Sequence, residues 1–370
     1  MKLGRLELMN RNFGLDISRV TAILMVLICH SLSWFFLDYN VLGILYVFGY
    51  LGVEIFFVLS GFLIGSILIR DIFHSGSWNS LPNFYVRRWL RTIPVYYFVI
   101  LILYILDSSQ FNLETMLFLQ NFEAGKLLFF PVSWSLSIEE WFYLLCPIVF
   151  LFISKLSNSN KKVLIFSSIF ILLFFNILRI VYIINYDPSW DQGVRKQIPI
   201  RLDSLLIGVL LANIKFYWVK FYTKVARGKI YLIASLIILY YFGMQYVYDG
   251  ITRNIINNSF YSRTFLFFVV SLSCAVIIAY FEQSKLNRTS SSVFRKAITL
   301  LSKISYSIYL VHFPIFKFSS VVLESHNSIV VKFLLLFCSL ILTLIISTVL
   351  YYCIEIPFLK LRDKYVPSKK

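Results

Sequence analysis

Long apolar stretches, separated by short polar connections, make up most of this chain. A helix rises ~1.5 Å per residue, so about 20 apolar residues cross a bilayer. Ten stretches fit this pattern, and the third and sixth are short. They run over 15–37, 43–69, 92–106, 134–153, 163–184, 200–213, 230–247, 263–281, 300–322 and 329–352. The pattern predicts an all-α fold, a polytopic bundle of about ten transmembrane helices.

The composition agrees with that prediction and leaves little room for a soluble domain. Hydrophobic residues are 59% and charged residues 14% of the 370, and the mean hydropathy is +0.78. Soluble domains of this length do not ordinarily reach these values. No small-residue cleavage site follows the first span, which is therefore expected to stay uncleaved. We expect one integral-membrane domain over 1–370, with short cytoplasmic tails at 1–14 and 358–370.

Lysine and arginine residues predict the orientation of the bundle. The net charge of +17 would suggest nucleic-acid binding in a soluble chain, but here the cations flank the spans. Connections and tails on the side of the N-terminus carry 25 of them, and the opposite connections carry four: Lys126, Arg195, Lys196 and Arg253. Cytoplasmic connections are the ones enriched in these residues. Both termini are thus predicted to be cytoplasmic, and no nucleic-acid partner is expected.

The cysteines give no sign of a metal or redox site. All five lie in or at the end of apolar spans, and none forms a C-x-x-C pair. Ligand spacings typical of zinc or of a disulfide framework are missing from the sequence. We expect no disulfide, no metal and no permanently bound cofactor.

The first span, LDISRVTAILMVLICHSLSWFFL, carries two ionisable residues, Arg19 and His30. Charges inside a span are costly and usually face a protein interior or a water-filled path. Eleven residues at about 100° each return to within roughly 20° of the start, so both side chains lie on one helix face, ~16 Å apart. That face is predicted to line a polar path.

Further ionisable residues reach the half of the membrane away from the termini. They are Glu54 on the second span, Glu139 and Glu140 at the start of the fourth, and Arg201 and Asp203 at the start of the sixth. Together with His30 they predict a polar pocket open to the outside. Arg201 is also explained as a structural partner of Asp203 or Glu139.

Two residues in this set carry a further ambiguity. Adjacent residues of a helix point about 100° apart, so Glu139 and Glu140 cannot share a face and only one is expected to point into the pocket.

His312, in SYSIYLVHF, sits among aromatic residues, and we interpret it as a structural histidine.

A cluster of arginines marks the opposite side. The segment FYVRRWLRTIP places Arg87, Arg88 and Arg91 where a connection becomes the third helix, and Arg88 and Arg91 share a face. The planar guanidinium suits phosphate, and Arg19 adds to this patch. Anchoring by the positive-inside rule is the alternative explanation of the cluster.

Seven segments, taken together and in order, resemble the membrane-bound acyltransferase 3 family. They are R-x10-H in the first span (Arg19 and His30), GVEIFFVLSGFLI, FYVRRWLRTIP, WSLSIEEWFYL, RLDSLLIG, ISYSIYLVHFP and IEIPF. The resemblance runs over nearly the whole chain. One departure is Glu54, where the family more often has aspartate. No outer esterase-like domain follows the last span, so the chain resembles the stand-alone form of the family.

This resemblance implies transfer of an acyl group, most often acetyl, from cytoplasmic acyl-CoA to a hydroxyl of a surface polysaccharide or lipid-linked sugar, such as an O-antigen or exopolysaccharide. Acetyl-CoA would be the donor substrate, and the bacterial cytoplasmic (inner) membrane, with its lipid, the location. By position, His30 would be the catalytic histidine, Arg19 its same-helix companion, and Arg88 and Arg91 the arginines toward the donor.

The chemistry leaves two routes open. His30 either takes the proton of the sugar hydroxyl as it attacks the thioester or is itself acylated first. We expect Glu139 to orient its ring, and Trp134 with Arg201 to hold the acceptor. A proton-coupled transporter or polysaccharide exporter, which needs no acyl donor, is the alternative from a different class.

Overall fold

The computed structural model of the protein describes residues 11–36, 43–123, 127–249, 255–284, 292–324 and 328–366. Within these ranges the regular structure is helical and contains no strand. The all-α prediction is therefore confirmed. Lys126 and Arg253, both used in the orientation count, lie outside the described residues, as do residues 1–10 and 367–370 of the two tails.

The α-helices are numbered here along the described chain. They are α1 (Phe13–Phe35), α2 (Gly43–Ile67), α3 (Ser80–Leu106), α4 (Leu113–Met116), α5 (Trp134–Ser157), α6 (Lys161–Tyr186), α7 (Asp203–Tyr217), α8 (Val219–Arg227), α9 (Lys229–Val247), α10 (Phe260–Arg263), α11 (Phe265–Gln283), α12 (Ser292–Glu324), α13 (Ile329–Leu350) and α14 (Ile356–Tyr365). Shorter turns join some of them: π-helical at Leu68–Phe73, Trp190–Arg195 and Tyr351–Glu355, and 3₁₀ at Pro131–Ser133 and Ile198–Ile200.

The predicted number of spans agrees with the structure. Nine helices of the described chain are long and apolar enough to cross a bilayer, and a bent pair, Ile198–Tyr217 and Val219–Arg227, gives a tenth. The pair is bent by 115°, which explains the short sixth stretch. The third helix is longer than predicted, because α3 begins at Ser80 and its first turns carry the arginines that interrupt the apolar pattern.

Helices α2 and α7 approach each other through glycines. A Cβ on Gly61 would lie 1.9 Å from the carbonyl oxygen of Leu205, and one on Gly208 would lie 2.2 Å from that of Val58. Small residues allow transmembrane backbones to come this close. The contact brings Glu54, two turns before Gly61, within reach of the first turn of α7.

Helix α1 packs against both α2 and α12. Its buried positions include Val20, Ile23, Val26 and Leu27, which belong to the apolar core of the bundle. Since α12 comes almost 300 residues after α1, this contact joins the two ends of the chain. It brings Arg19 and His30 of α1 into contact with Ser302 and His312 of α12.

Helices α6, α9 and α13 lie at the periphery. Large apolar side chains on them are exposed, including Phe166, Phe170, Ile237, Tyr240 and Phe337. In a chain with these spans, such surfaces are suited to contact with lipid.

Candidate active site

Two histidines meet where α1 and α12 pack together. Nδ1 of His30 lies 2.8 Å from Nε2 of His312, and the ring planes differ by 11°. Nδ1 of His312 in turn lies 3.1 Å from the carbonyl oxygen of Ile308, one turn earlier in α12. His312 is completely buried. The pair forms a chain of polar contacts that ends on the backbone.

These contacts assign the tautomers of both rings. A carbonyl oxygen only accepts hydrogen bonds, so Nδ1 of His312 must carry the proton. Nε2 of a neutral His312 is then an acceptor, and Nδ1 of His30 donates to it. The free lone pair of His30 is thereby left on Nε2, for which no described residue is a hydrogen-bond partner. A histidine fixed in this tautomer by its other nitrogen is arranged to act as a base.

A cavity of about 450 Å³, here called the histidine cavity, lies beside His30. Its volume falls in the range of small-molecule sites, about 300–1,000 Å³. Aromatic side chains are the largest group in its wall, which also carries several polar groups. Its members include Trp134, Trp190, Tyr46, Tyr50, Tyr246, Asn257, Asp191, Arg195 and Lys196. Trp134, predicted to hold an acceptor, thus shares a cavity with His30.

The loop before α7 brings two cations to this cavity. Asp191 accepts hydrogen bonds from Arg195 Nε at 2.7 Å and from Lys196 Nζ at 2.5 Å. The Arg195 guanidinium lies 4.7 Å from the ring centroid of Trp134 and 5.6 Å from that of Trp190. Burial would raise the pKa of the Asp191 carboxyl, but the two cations outweigh it and lower that pKa to about 2. Burial and the neighbouring Arg195 lower the pKa of the Lys196 ammonium, and Asp191 opposes that shift. Two basic side chains thus share one carboxylate.

A second cavity, of about 120 Å³, is here called the arginine cavity. Its lining includes Arg19, Arg88, Arg91, Lys303, Glu139, Tyr143, Ser60 and Tyr306. The guanidinium of Arg88 lies 4.5 Å from the ring centroid of Tyr143, and its Nε is buried without a hydrogen-bond partner among the described residues. Three of the four predicted donor-side arginines thus line one cavity. The fourth, Arg87, instead donates to the carbonyl oxygen of Val366 at 2.9 Å.

The two neighbouring glutamates separate as their spacing requires. Glu139 lines the arginine cavity and accepts a hydrogen bond from Tyr143 at 2.9 Å. Glu140 accepts one from Thr92 on α3 at 2.9 Å and lines neither cavity. Glu139 is not paired with the ring of His30: its contact is Tyr143 in the arginine cavity, whereas His30 lines the histidine cavity and bonds His312. The role of orienting the ring therefore belongs to His312 in this geometry.

Two residues, Val53 and Tyr309, line both cavities. The Tyr309 hydroxyl donates to the carbonyl oxygen of Val132 at 3.0 Å and lies 2.6 Å from Ser135 Oγ. The cavities are therefore neighbours. Since Arg19 lines one and His30 the other, ~16 Å of α1 connects them.

The other predicted acceptor residues form a separate cluster, here called the buried ion network. Glu54 accepts hydrogen bonds from Arg201, from Ser204 at 2.6 Å and from Ser271 at 3.0 Å. Arg201 also donates to Asp203 at 2.5 Å. The side chains of Glu54, Arg201 and Asp203 are at most 1% exposed. None of these three residues lines either cavity.

Arg179 of α6 completes the buried ion network. It donates to Asp203 at 2.6 Å and to Asn176 at 2.7 Å. Arg201 reaches outward by one bond, from its Nε to the carbonyl oxygen of Arg195 at 3.3 Å. The network thus supports the loop that carries Arg195 and Lys196.

Sequence reasoning missed the role of His312. A signal was present, since Ser305, Tyr309 and His312 are spaced i, i+4, i+7 and so share one face of α12. Arg195 and Lys196 appeared in the sequence only as two cations on the side with few of them. Their position in the cavity depends on Asp191 and Trp134, contacts that no local pattern predicts.

No group of three or more His, Cys, Asp or Glu side chains in the described ranges is placed to hold a metal ion.

Comparison with known proteins gives relatives but no structural template. The chain is similar to a Staphylococcus aureus strain MRSA252 protein named "Putative O-acetyltransferase", with 27% identity over 96% of this chain and 59% of that protein. It is also similar to "O-acetyltransferase OatA" of S. aureus strain NCTC 8325, with 28% identity over 87% of this chain and 55% of that protein. The chain thus spans somewhat more than half the length of these relatives. No solved structure matches it.

A family profile covers the part of the chain that builds both cavities. The profile described as "Acyltransferase domain", of the acyltransferase 3 family, matches residues 12–352. The match extends from the start of α1 through α12 and α13, so it includes His30, His312 and the arginines of α3. The chain belongs to the acyltransferase 3 family.

Proposed function

We propose that the protein is a membrane O-acetyltransferase. It takes an acetyl group from acyl-CoA at the arginine cavity and transfers it to a hydroxyl of a surface polysaccharide or lipid-linked sugar in the histidine cavity. Family membership and the names of the relatives support the reaction type. The observation that carries the proposal is His30, whose Nε2 is free in a cavity while Nδ1 is bonded to His312.

The arginine cavity has the character expected of a donor site. A volume of about 120 Å³ is too small for a whole coenzyme but suits its narrow acyl-pantetheine arm. Arg91 is exposed and Arg88 has an unpaired Nε, so guanidinium groups are available to phosphate or carbonyl oxygens. A transporter needs no such site, and the buried donor of Arg88 favours the transferase.

In the proposed reaction, His30 Nε2 accepts the proton of the sugar hydroxyl while the oxygen attacks the thioester carbonyl. Nδ1–H donates to His312 throughout, which stabilises the imidazolium that forms. Collapse of the tetrahedral intermediate breaks the C–S bond, and the leaving thiolate takes the proton from Nε2. For this attack the acetyl-thioester end of the pantetheine arm must reach past Val53 and Tyr309, which line both cavities. The route through an acetyl-histidine uses the same nitrogen as nucleophile and remains the alternative.

The orientation follows the lysine and arginine distribution. We place both termini in the cytoplasm of a bacterial cell and the protein in its inner membrane, so that the arginine cavity faces the acyl-CoA pool. This is tested by introducing one exposed cysteine at a time, Ser108→Cys or Lys220→Cys. The background has serine at the exposed positions Cys338 and Cys353 and keeps the buried cysteines. Ser108→Cys should react with an impermeant maleimide in intact cells, and Lys220→Cys only after permeabilisation. The reverse pattern would overturn the orientation.

Substitution of His30 tests the function itself. His30→Gln keeps a hydrogen-bonding side chain but removes the base, and loss of a general base costs about 10²–10⁴ in rate. We expect acetyl-CoA turnover by the purified protein, and O-acetate on surface glycans of expressing cells, to fall by that factor. Expression and acetyl-CoA binding should stay near wild type. Undiminished glycan acetylation by the variant would remove His30 from the chemistry.

A further inference from the structure

We propose that Arg195 and Lys196 form an oxyanion subsite in the histidine cavity, and that the acceptor is therefore an acidic glycan. Its carboxylate or phosphate would lie on, or next to, the sugar whose hydroxyl is acetylated. The proposal rests on the proposed function for the meaning of "acceptor". The subsite itself is a property of the cavity and can be measured without acetyl-CoA.

The histidine cavity is lined by more basic than acidic side chains. Arg195 and Lys196 share one counter-ion, Asp191, and their side chains are only 16% and 14% exposed. Both oxygens of that carboxylate are already used by these cations. Arg195 directs Nε and Nη2 at Asp191, which leaves Nη1 without a hydrogen-bond partner in the described part of the chain. A guanidinium with a free donor next to an ammonium is suited to a carboxylate or phosphate oxygen.

Hydrogen bonds to the backbone fix the loop that carries the subsite. Asn121 donates to the carbonyl oxygens of Trp134 at 2.6 Å and of Lys196 at 2.9 Å, so the loop is tied to the start of α5. Arg201 holds the carbonyl oxygen of Arg195. Preorganisation of this kind lowers the entropy cost of binding. It also distinguishes these cations from membrane anchors, whose side chains need no fixed position.

The surroundings suit a sugar. The cavity has flat apolar faces, which come from Trp134, Trp190, Tyr50 and Tyr246. The side-chain oxygen of Asn257 accepts a hydrogen bond from the backbone N–H of Trp190 at 2.8 Å, so its amide N–H groups are left as donors. Aromatic faces with a few fixed polar groups are the usual lining of a small-molecule site. Because His30 lines the same cavity, a sugar bound there by its anionic group would have a hydroxyl near Nε2.

The test uses binding of a defined acid and its neutral partner. Full-length protein in nanodiscs of zwitterionic lipid is titrated with trigalacturonic acid and with its methyl ester, and the fluorescence of the cavity tryptophans is followed. We expect saturable binding of the acid and at least tenfold weaker binding of the ester. Arg195→Gln and Lys196→Gln should each weaken binding of the acid by about tenfold or more, since each loses a charge-assisted hydrogen bond.

Lys317→Gln is the matched control. It removes one positive charge from the exposed end of α12, where the side chain is 50% exposed and lines neither cavity. It should leave the affinity unchanged. Equal binding of acid and ester, no binding of either, or the same loss in Lys317→Gln would each overturn the subsite.

A lipid headgroup phosphate is the other source of the same chemistry. Nanodiscs containing phosphatidylglycerol separate the two sources. If the lipid competes with trigalacturonic acid and this competition disappears in Lys196→Gln, the subsite belongs to lipid and the acidic-glycan proposal is wrong. If phosphatidylglycerol leaves the affinity for trigalacturonic acid unchanged, the acidic-glycan proposal is supported. Failure of acetyl-CoA turnover would overturn the proposed function and leave these binding results intact.

Discussion

The buried ion network and the histidine cavity are both polar clusters inside an apolar bundle, yet they differ in how their polar groups are paired. In the network, Glu54, Arg201, Asp203 and Arg179 each have an opposite charge within hydrogen-bonding distance. In the cavity, His30 has one nitrogen bonded to His312 and the other without a described partner. Both clusters contain residues that are costly in a membrane.

This difference in pairing is a criterion for telling structural polar residues from those that can bind a substrate. A group whose charge is fully paired cannot bind a ligand without breaking a bond that the fold needs, and it lines no cavity here. A group with a free lone pair or donor next to a cavity can bind a substrate at little cost to the fold. By this criterion we propose functional roles for His30, Arg88 and Arg195, and a structural role for the network.

The largest expected effect on folding comes from breaking the network. Arg201→Met leaves Glu54 and Asp203 each short of a cation, and loss of one partner of a buried ion pair costs about 3–5 kcal/mol. We expect little folded protein, or a strongly reduced melting temperature in detergent, followed by fluorescence-detected size exclusion.

The matched control is Arg70→Met, which also removes the arginine of an arginine–aspartate pair. The side chains of that pair, Arg70 and Asp71, are 69% and 40% exposed. Exposed ion pairs contribute about 0–1 kcal/mol to stability. A wild-type melting temperature for Arg201→Met would contradict the structural role of the network.

A smaller effect should separate two adjacent arginines on α3. Arg88→Ala removes a guanidinium with an unpaired buried Nε, so we expect the KM for acetyl-CoA to rise about tenfold, as for loss of one charge-assisted hydrogen bond. Arg87→Ala removes a group already bonded to the carbonyl oxygen of Val366 and should leave that KM nearly unchanged. Equal effects of the two variants would mean that the cluster acts only as a topology anchor.

The sequence predicted the spans well because burial in lipid imposes a length and a composition that can be read locally. All ten predicted stretches correspond to helices, including the short sixth one, which ends in a bend. The start of α3 was missed for the same reason. Its first turns carry polar and basic residues, and hydropathy alone cannot distinguish a polar helix from a connection.

The site was predictable only where it lies on one helix. Arg19 and His30 could be placed on one face by their spacing, and Glu139 and Glu140 on different faces. The partner of His30 could not be found this way, because His312 is 282 residues away in the chain and the contact depends on how α1 and α12 pack. A carboxylate was the expected partner by general chemistry, and packing supplied a histidine instead.

The central claim is that His312 holds His30 in the tautomer with a free Nε2. Its most direct test is acetyl-CoA turnover by His312→Leu and His312→Gln. Leucine removes the acceptor for Nδ1–H, whereas a glutamine carbonyl can replace it. Loss of this hydrogen bond, about 1 kcal/mol or somewhat more, predicts a fall in kcat of up to about tenfold for leucine with the KM for acetyl-CoA unchanged, and a value within about threefold of wild type for glutamine. The same loss in both variants, or full activity with leucine, would contradict the claim.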